Sequence, residues 1–249
     1  MRTLATMTRI EIALLLREPA ALFFVLALPL LLLALNGGSG GNEPQAFFGG
    51  VGLVDALVPG LLLLVMCTSG LMQLPETLAG YRERGFLRRL RVSPLRPWQI
   101  LGSHALTHLA VVALGLVLVV GLATAAFDLT PPASWPAAVA ALAASAVMVV
   151  ALGFALAAVA PTTRTTQAAG AAIYFPAIFL SGVVMPAEVL PDLAARVSQA
   201  LPFTYGVEAI REAWTAGGLD ATALAVLAGT TLLAVALGLR AFRWEPRYS

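Results

Sequence analysis

Long apolar runs separated by short polar breaks dominate the chain. A helix crossing the hydrocarbon of a bilayer takes about 20 predominantly apolar residues. Six runs meet or approach that length: 20–35, 51–72, 100–127, 135–160, 168–185 and 221–239. The first is short but extends into the segment before it, and the second carries Asp55 near its start. The fifth is broken by Pro176 and ends at Pro186. No internal repeat appears, and no stretch between the runs is long enough for a soluble domain. The pattern predicts an all-α integral membrane fold with six transmembrane helices, forming a single domain over residues 1–249.

Three stretches between the runs are amphipathic instead. In residues 1–19, Leu4, Met7, Ile10 and Leu14 form an apolar stripe, with Arg2, Thr6, Arg9 and Glu11 on other faces. This predicts a helix lying in the membrane interface, with Arg17-Glu18-Pro19 as the turn into the first span. Met1–Arg17 lacks the plain apolar core and clean cleavage site of a secretory leader. In residues 73–98, the stretch "YRERGFLRRLRVSP" (81–94) places Phe86, Leu87 and Leu90 on one helical face and Arg84, Arg88 and Arg91 on another. Ser93-Pro94 ends that helix, because the residue before proline avoids the α region. Such a helix can rest on lipid or dock into a partner's groove; Glu76 and Glu83 are counter-charges that a pure lipid binder does not need. Residues 186–220 are too apolar for a solvated loop and contain Pro186, Pro191 and Pro202. Leu193, Val197 and Leu201 make one helical stripe, and Val207, Ile210 and Trp214 make another. Irregular backbone at membrane depth survives only buried in protein or facing a cavity. Two short helices dipping into the outer leaflet as a gate are therefore predicted, with an ordinary extracellular helical hairpin as the competing reading.

Composition agrees: 59% of residues are hydrophobic, 11% are charged, and the mean hydropathy is +0.89. A soluble domain is nearer 25% charged. The net charge of +2 and a pI near 9.1 do not indicate nucleic-acid binding, since the basic residues cover no soluble face. All fifteen basic residues are arginine. With the N-terminus inside, thirteen of the fifteen fall in cytoplasmic segments and only Arg196 and Arg211 fall outside, which fixes orientation by the positive-inside rule. The absence of lysine excludes a standard phosphate-binding loop, which needs its Lys. Cys67, the single cysteine, excludes an internal disulfide and reads as a small apolar side chain.

Chemistry-bearing residues are sparse. His104 and His108 stand one turn apart near the start of the third span, without an evident third metal ligand. Ser69 and Ser181, with a histidine as base, raise the alternative of an intramembrane protease. Small residues in lipid more often permit close helix packing. A secondary carrier is the other alternative, but ion coupling usually needs ionisable groups near the midplane, and the middles of all six runs lack Asp, Glu and Arg. Thr68, Tyr174, Phe175 and Phe179 are candidates for lining a pathway.

The chain resembles the type 2 ABC transporter permease family of drug, lipid and polysaccharide exporters. Three stretches carry the likeness: "LLLREPAALFFVLALPLLL" (14–32), "ETLAGYRERGFLRRLRVSPLRPWQILGSHAL" (76–106) and "FLSGVVMPAEVLPDLAARVSQALPFTYGVEAIREAW" (179–214). The family's Glu-Arg-Glu-x-Gly wording stands here as Arg82-Glu83-Arg84-Gly85. The resemblance implies a non-catalytic membrane subunit with no cofactor of its own, ATP and Mg being held by a separate ATP-binding cassette subunit in two copies. A second copy of this chain, or a paralogue, completes the unit in the lipid bilayer of the cell membrane, with both termini cytoplasmic. The ATPase-coupling residues implied are Glu76, Arg82, Glu83, Arg84, Gly85, Arg88, Arg89, Arg91 and Pro94, with Arg9, Arg17 and Glu18 from the connecting helix. The implied outer gate comprises Leu180, Ser181, Gly182, Pro186, Pro191, Pro202, Tyr205, Glu208 and Arg211. Hydrophobic or amphipathic cargo and outward transport are the expectations.

Overall fold

The computed structural model describes residues 2–15, 17–45, 50–85, 97–182 and 191–241. Among these, nine helices follow one another: α1 (Arg2–Leu15), α2 (19–40), α3 (Leu53–Glu83), α4 (Pro97–Phe127), α5 (Trp135–Val159), α6 (Thr163–Leu180), α7 (Asp192–Gln199), α8 (Pro202–Thr215) and α9 (Ala221–Ala241). In a chain this apolar, helices are the economical solution, since each satisfies its own backbone without water. Four are long and apolar enough to cross a membrane: Leu53–Glu83, Leu101–Phe127, Trp135–Val159 and Ala221–Ala241. The predicted first and fifth runs are also helical, as α2 and α6, but the first offers only the shorter apolar stretch Phe23–Gly38.

Two boundaries differ from the expectation. The second run does not stop at residue 72, because α3 continues through Glu83. Much of the 73–98 segment is thus a helical extension of the span. Pro176 does not break α6, which is continuous from Thr163 to Leu180; apolar surroundings tolerate an internal proline when neighbouring groups take up the freed carbonyl. The segment 86–96, with Arg88, Arg89, Arg91 and Pro94 of the predicted coupling helix, lies outside the described residues, as do Pro186 and residues 242–249.

Helix α3 is the centre of the bundle. From Val58 to Leu71 every residue is buried, and α2, α4, α5, α6 and α8 all pack on it. It contains a π-helical turn at Thr68–Gln73, packed against a second one at Phe23–Ala27 in α2. Around that turn, consecutive residues reach three neighbours. The Thr68 hydroxyl lies 2.8 Å from the Tyr174 hydroxyl of α6, and Ser69 Oγ lies 3.0 Å from His108 Nδ1 of α4. Gly70 abuts α5, so that a β-carbon on Gly153 would run into the Gly70 carbonyl oxygen, and one on Gly70 would come 2.9 Å from a Val149 methyl.

The two ends of the bundle differ in charge. The end of α9 lies beside the end of α5, since Gly238 faces Ala155. One end thus gathers α1, the end of α3, the α5–α6 turn and the end of α9, with Arg9, Arg17, Arg82, Arg84, Arg164 and Arg240 against Glu11, Glu18, Glu76 and Glu83. The opposite end holds Glu43, Asp55, Asp128, Asp192, Glu208, Glu212 and Asp220, with Arg196 and Arg211.

The α3–α5 contact gives a direct test. Gly153→Val should lower stability by about 1–3 kcal/mol, the usual cost of overpacking, seen as a lower thermal midpoint in detergent. Gly121→Ala, where a β-carbon meets nothing within 4 Å, should leave that midpoint unchanged.

Candidate functional site

At the basic end, the last turn of α3 is fixed by two adjacent residues acting on opposite sides of one turn. Arg82 is 6% exposed. Its Nη1 donates to the Ala157 carbonyl at 3.0 Å and its Nη2 donates to the Ala160 carbonyl, the last orphan acceptors of α5. A guanidinium at a helix C-terminus also meets the negative end of the helix dipole. Glu83 turns the other way, to the first residue of α6. Its Oε1 accepts from the Thr163 amide at 2.8 Å and its Oε2 accepts from the Thr163 hydroxyl at 2.6 Å, a carboxylate at the positive end of a helix. That helix start is prepared locally by a capping box, in which Thr162 and Thr165 bond reciprocally. Glu76, two turns earlier on α3, accepts from Gln167 Nε2 of α6 at 2.6 Å. Arg84 folds back, donating from Nε to the Gly80 carbonyl at 3.1 Å, with its guanidinium 5.6 Å from the Tyr81 ring centre. Gly85 then ends the helix at φ +66°, a left-handed conformation that favours glycine.

The N-terminal helix reaches the same place through its polar face. The Tyr81 hydroxyl donates to Glu11 Oε2 at 3.1 Å, and His104 Nε2 lies 3.7 Å from Glu11 Oε1. Ile10 and Leu14 of the apolar stripe are 54% and 45% exposed, whereas Glu11 and Leu15 turn toward the bundle. Burial raises the Glu11 carboxyl above its usual value, while the Tyr81 hydroxyl draws it down. Arg9, Arg17 and Glu18 are exposed.

At the opposite end, Leu180 closes α6, and Gly182 follows at φ +77°. Ser181, 2% exposed, meets Thr204 and Ser198 in a buried hydroxyl cluster: Thr204 donates to the Ser198 carbonyl at 2.7 Å and lies 3.2 Å from Ser181 Oγ. Pro191 precedes α7 and Pro202 opens α8, where its missing amide costs nothing. Tyr205 donates to the Gln199 carbonyl at 3.0 Å. Val207, Ile210 and Trp214 form the buried face of α8, while Leu193 and Val197 of α7 face outward. Burial raises the Glu208 carboxyl, Arg211 opposes this and Asp220 adds to it. Asp55 belongs to a second clamp that the residue pattern did not reveal: it accepts from the Thr130 amide and hydroxyl at 2.9 and 2.8 Å, while Trp214 Nε1 donates to the Thr130 carbonyl at 2.8 Å.

A family model for the ABC-2 type transporter matches residues 2–214. The chain belongs to that family. No curated protein sequence matches it. The matched region runs from α1 into the last turn of α8. As an ABC-2 chain it is a multi-pass membrane protein and a permease component of an ABC transporter, a class whose membrane subunits are generally non-catalytic and pair with an ABC ATPase.

Within this permease, the pathway candidates separate. Thr68 is 4% exposed and bonded to Tyr174, whereas Phe175 and Phe179 are 55% and 53% exposed on α6. The structure does bring Ser69 to His108, but Ser69 is fully buried beside the Gly70–Gly153 contact, with no space for a scissile bond. Among the described residues, no three His, Cys, Asp or Glu side chains converge to hold a metal. Tyr81, Thr163 and Glu11 were the site residues overlooked. The threonine cluster 162–166 ahead of an apolar run was the available signal for a helix start that recruits an acid.

The Glu11 contact has a pH signature. A carboxyl whose value is raised on docking favours the docked state most below its ordinary value of 4.5, and that contribution is lost as pH rises through the raised value. A spin label at the exposed Ala13 should therefore be more immobilised near pH 4.5 than at pH 8, and Glu11→Gln should flatten this dependence.

Proposed function

We propose that this chain is the membrane-spanning subunit of an ATP-driven exporter, forming with a second copy or a paralogue the pathway for a hydrophobic or amphipathic substrate of the drug, lipid or glycolipid kind. ATP and Mg belong to two separate ATP-binding cassette subunits that dock at the basic end, which faces the cytoplasm together with both termini. Six spans serve this arrangement. At 1.5 Å per residue, α2 reaches about 33 Å and α6 about 27 Å, comparable with a hydrocarbon core of about 30 Å. The pair α7 and α8 forms the outer re-entrant gate, and α1 is the connecting helix.

The observation that supports the reading best is the construction of the basic end. The central helix α3 arrives there, is fixed to α5, α6 and α1 by Arg82, Glu83, Glu76 and Tyr81, and leads directly into the arginine-rich segment 86–96. A docking segment attached to the most deeply buried helix passes displacement to the whole bundle, which switches between discrete packings because packed cores are not continuously deformable. The bundle interior supplies hydroxyl and imidazole pairs and no midspan carboxylate, which suits apolar cargo better than a small ion.

The test is co-expression with the ATP-binding subunit encoded nearest to this chain, with the affinity tag on this chain alone. A stoichiometric complex should be recovered in detergent and lost in an Arg84→Glu/Arg88→Glu variant that still inserts. Purification of the chain alone, as a stable particle without an ATPase, would overturn the permease assignment of this end.

A further inference from the structure

The family pattern places Arg82 and Glu83 among residues that face the ATPase, yet in this structure both are committed within the chain. Arg82 holds the two carbonyls that end α5, and Glu83 holds the amide and hydroxyl that begin α6. Between them lies only the short turn joining α5 to α6, residues 160–162. Two consecutive side chains thus grip both sides of one turn, each matched to the dipole of the helix it touches. Glu76 extends the grip one step further along α6 through Gln167.

We propose that Arg82 and Glu83 are positioning residues that bind the α5–α6 turn to the end of α3, so that the end of α3 and this turn move as one body. The inference rests on the permease reading above and says by which route motion leaves the docking segment. Without the clamp, a pull on the end of α3 reaches α5 through packing higher in the bundle, and reaches α6 through that packing and the Glu76–Gln167 and Thr68–Tyr174 hydrogen bonds, away from the α5–α6 turn itself. With it, the pull reaches α5 and α6 at their ends. Helix α6 continues to Ser181, which touches Thr204 of α8 and so connects to the opposite end.

The experiment uses the complex of this chain with its ATP-binding subunit. A single cysteine at Leu193, 77% exposed on α7, reports the opposite end by its maleimide labelling rate; the native Cys67 is 1% exposed and stays silent. In the unsubstituted chain, the labelling rate should differ between the nucleotide-free state and the state trapped with MgATP and vanadate. Thr163→Val removes the hydroxyl that Glu83 accepts from, and Glu83→Gln removes the charge. In both variants the ratio of the two labelling rates should fall to about one, the value for uncoupled sites, and Thr163→Val should leave complex recovery and ATP hydrolysis in place. Thr163→Ser keeps the hydroxyl and should restore the ratio, which separates positioning from a simple folding defect. A full nucleotide response in both Thr163→Val and Glu83→Gln would overturn the inference alone. Failure of the unsubstituted chain to recover any ATP-binding subunit would overturn the permease reading, and the inference with it.

Discussion

A buried guanidinium must be surrounded by acceptors or the fold loses more than it gains, and Arg82 meets that demand with the carbonyls that end α5. Each charged hydrogen bond of this kind contributes about 1.5–3 kcal/mol. The larger effect is geometric. Once Arg82 is placed, the end of α3 cannot move without α5, and Glu83 on the next residue extends the constraint to α6. The central helix is thereby registered against two neighbours whose other contacts with it are largely aliphatic, apart from the Glu76–Gln167 and Thr68–Tyr174 bonds to α6. The opposite end repeats the logic with other groups. Asp55 near the start of α3 takes two hydrogen bonds from Thr130, whose carbonyl holds the Trp214 indole. Asn42 bridges the same corner, accepting from the Asp55 amide and donating to the Asp128 carbonyl. Helix α3 is therefore pinned by polar bonds at both ends and by close apolar packing between them.

The middle of α3 explains why the bundle is so tight. Lipid supplies no hydrophobic driving force between helices, so close approach and small residues take its place. Gly70 against Gly153 brings two backbones together, and the adjacent π-helical turn at Thr68–Gln73 inserts one extra residue into the helix at that level. Thr68 and Ser69 then place their hydroxyls against Tyr174 and His108. These bonds give α4 and α6 specific positions around α3, in a region where composition alone offers mainly Leu, Val and Ala.

The apolar runs made the helices legible in the sequence, because about 20 apolar residues without charge have few other structures open to them. Boundaries were less legible where polar residues serve inside the protein. Glu76 reads as part of a loop by polarity, and Tyr81, Arg82 and Glu83 as the start of a separate helix over 81–94, yet all four extend α3, each with a partner on α1, α5 or α6. The inward face of α1 has the same origin: Glu11 is polar by type but is held inward by Tyr81 and His104, while Ile10 and Leu14 of the apolar stripe are exposed. Periodicity reports which side chains share a face, and only tertiary partners decide which face turns inward. The π-helical turns left no trace in the pattern, since one added residue in a uniformly apolar helix shifts nothing that hydropathy registers.

The tight interior also bears on where cargo can travel. A route through one copy would have to open the contacts of α3 with α4, α5 and α6, at the level where Ser69 is fully buried and Gly70 touches Gly153. The exposed faces impose no such cost. On α6, Phe175 and Phe179 stand outward one turn apart, and Ile173 shares their exposure. In the exporter proposed above, a pathway for apolar cargo is better built between faces of this kind on two chains. The clamps at both ends of α3 suit that arrangement: they keep the ends of each bundle registered while its packing switches, so that a displacement at the basic end is carried to the exposed faces without opening the Gly70–Gly153 contact.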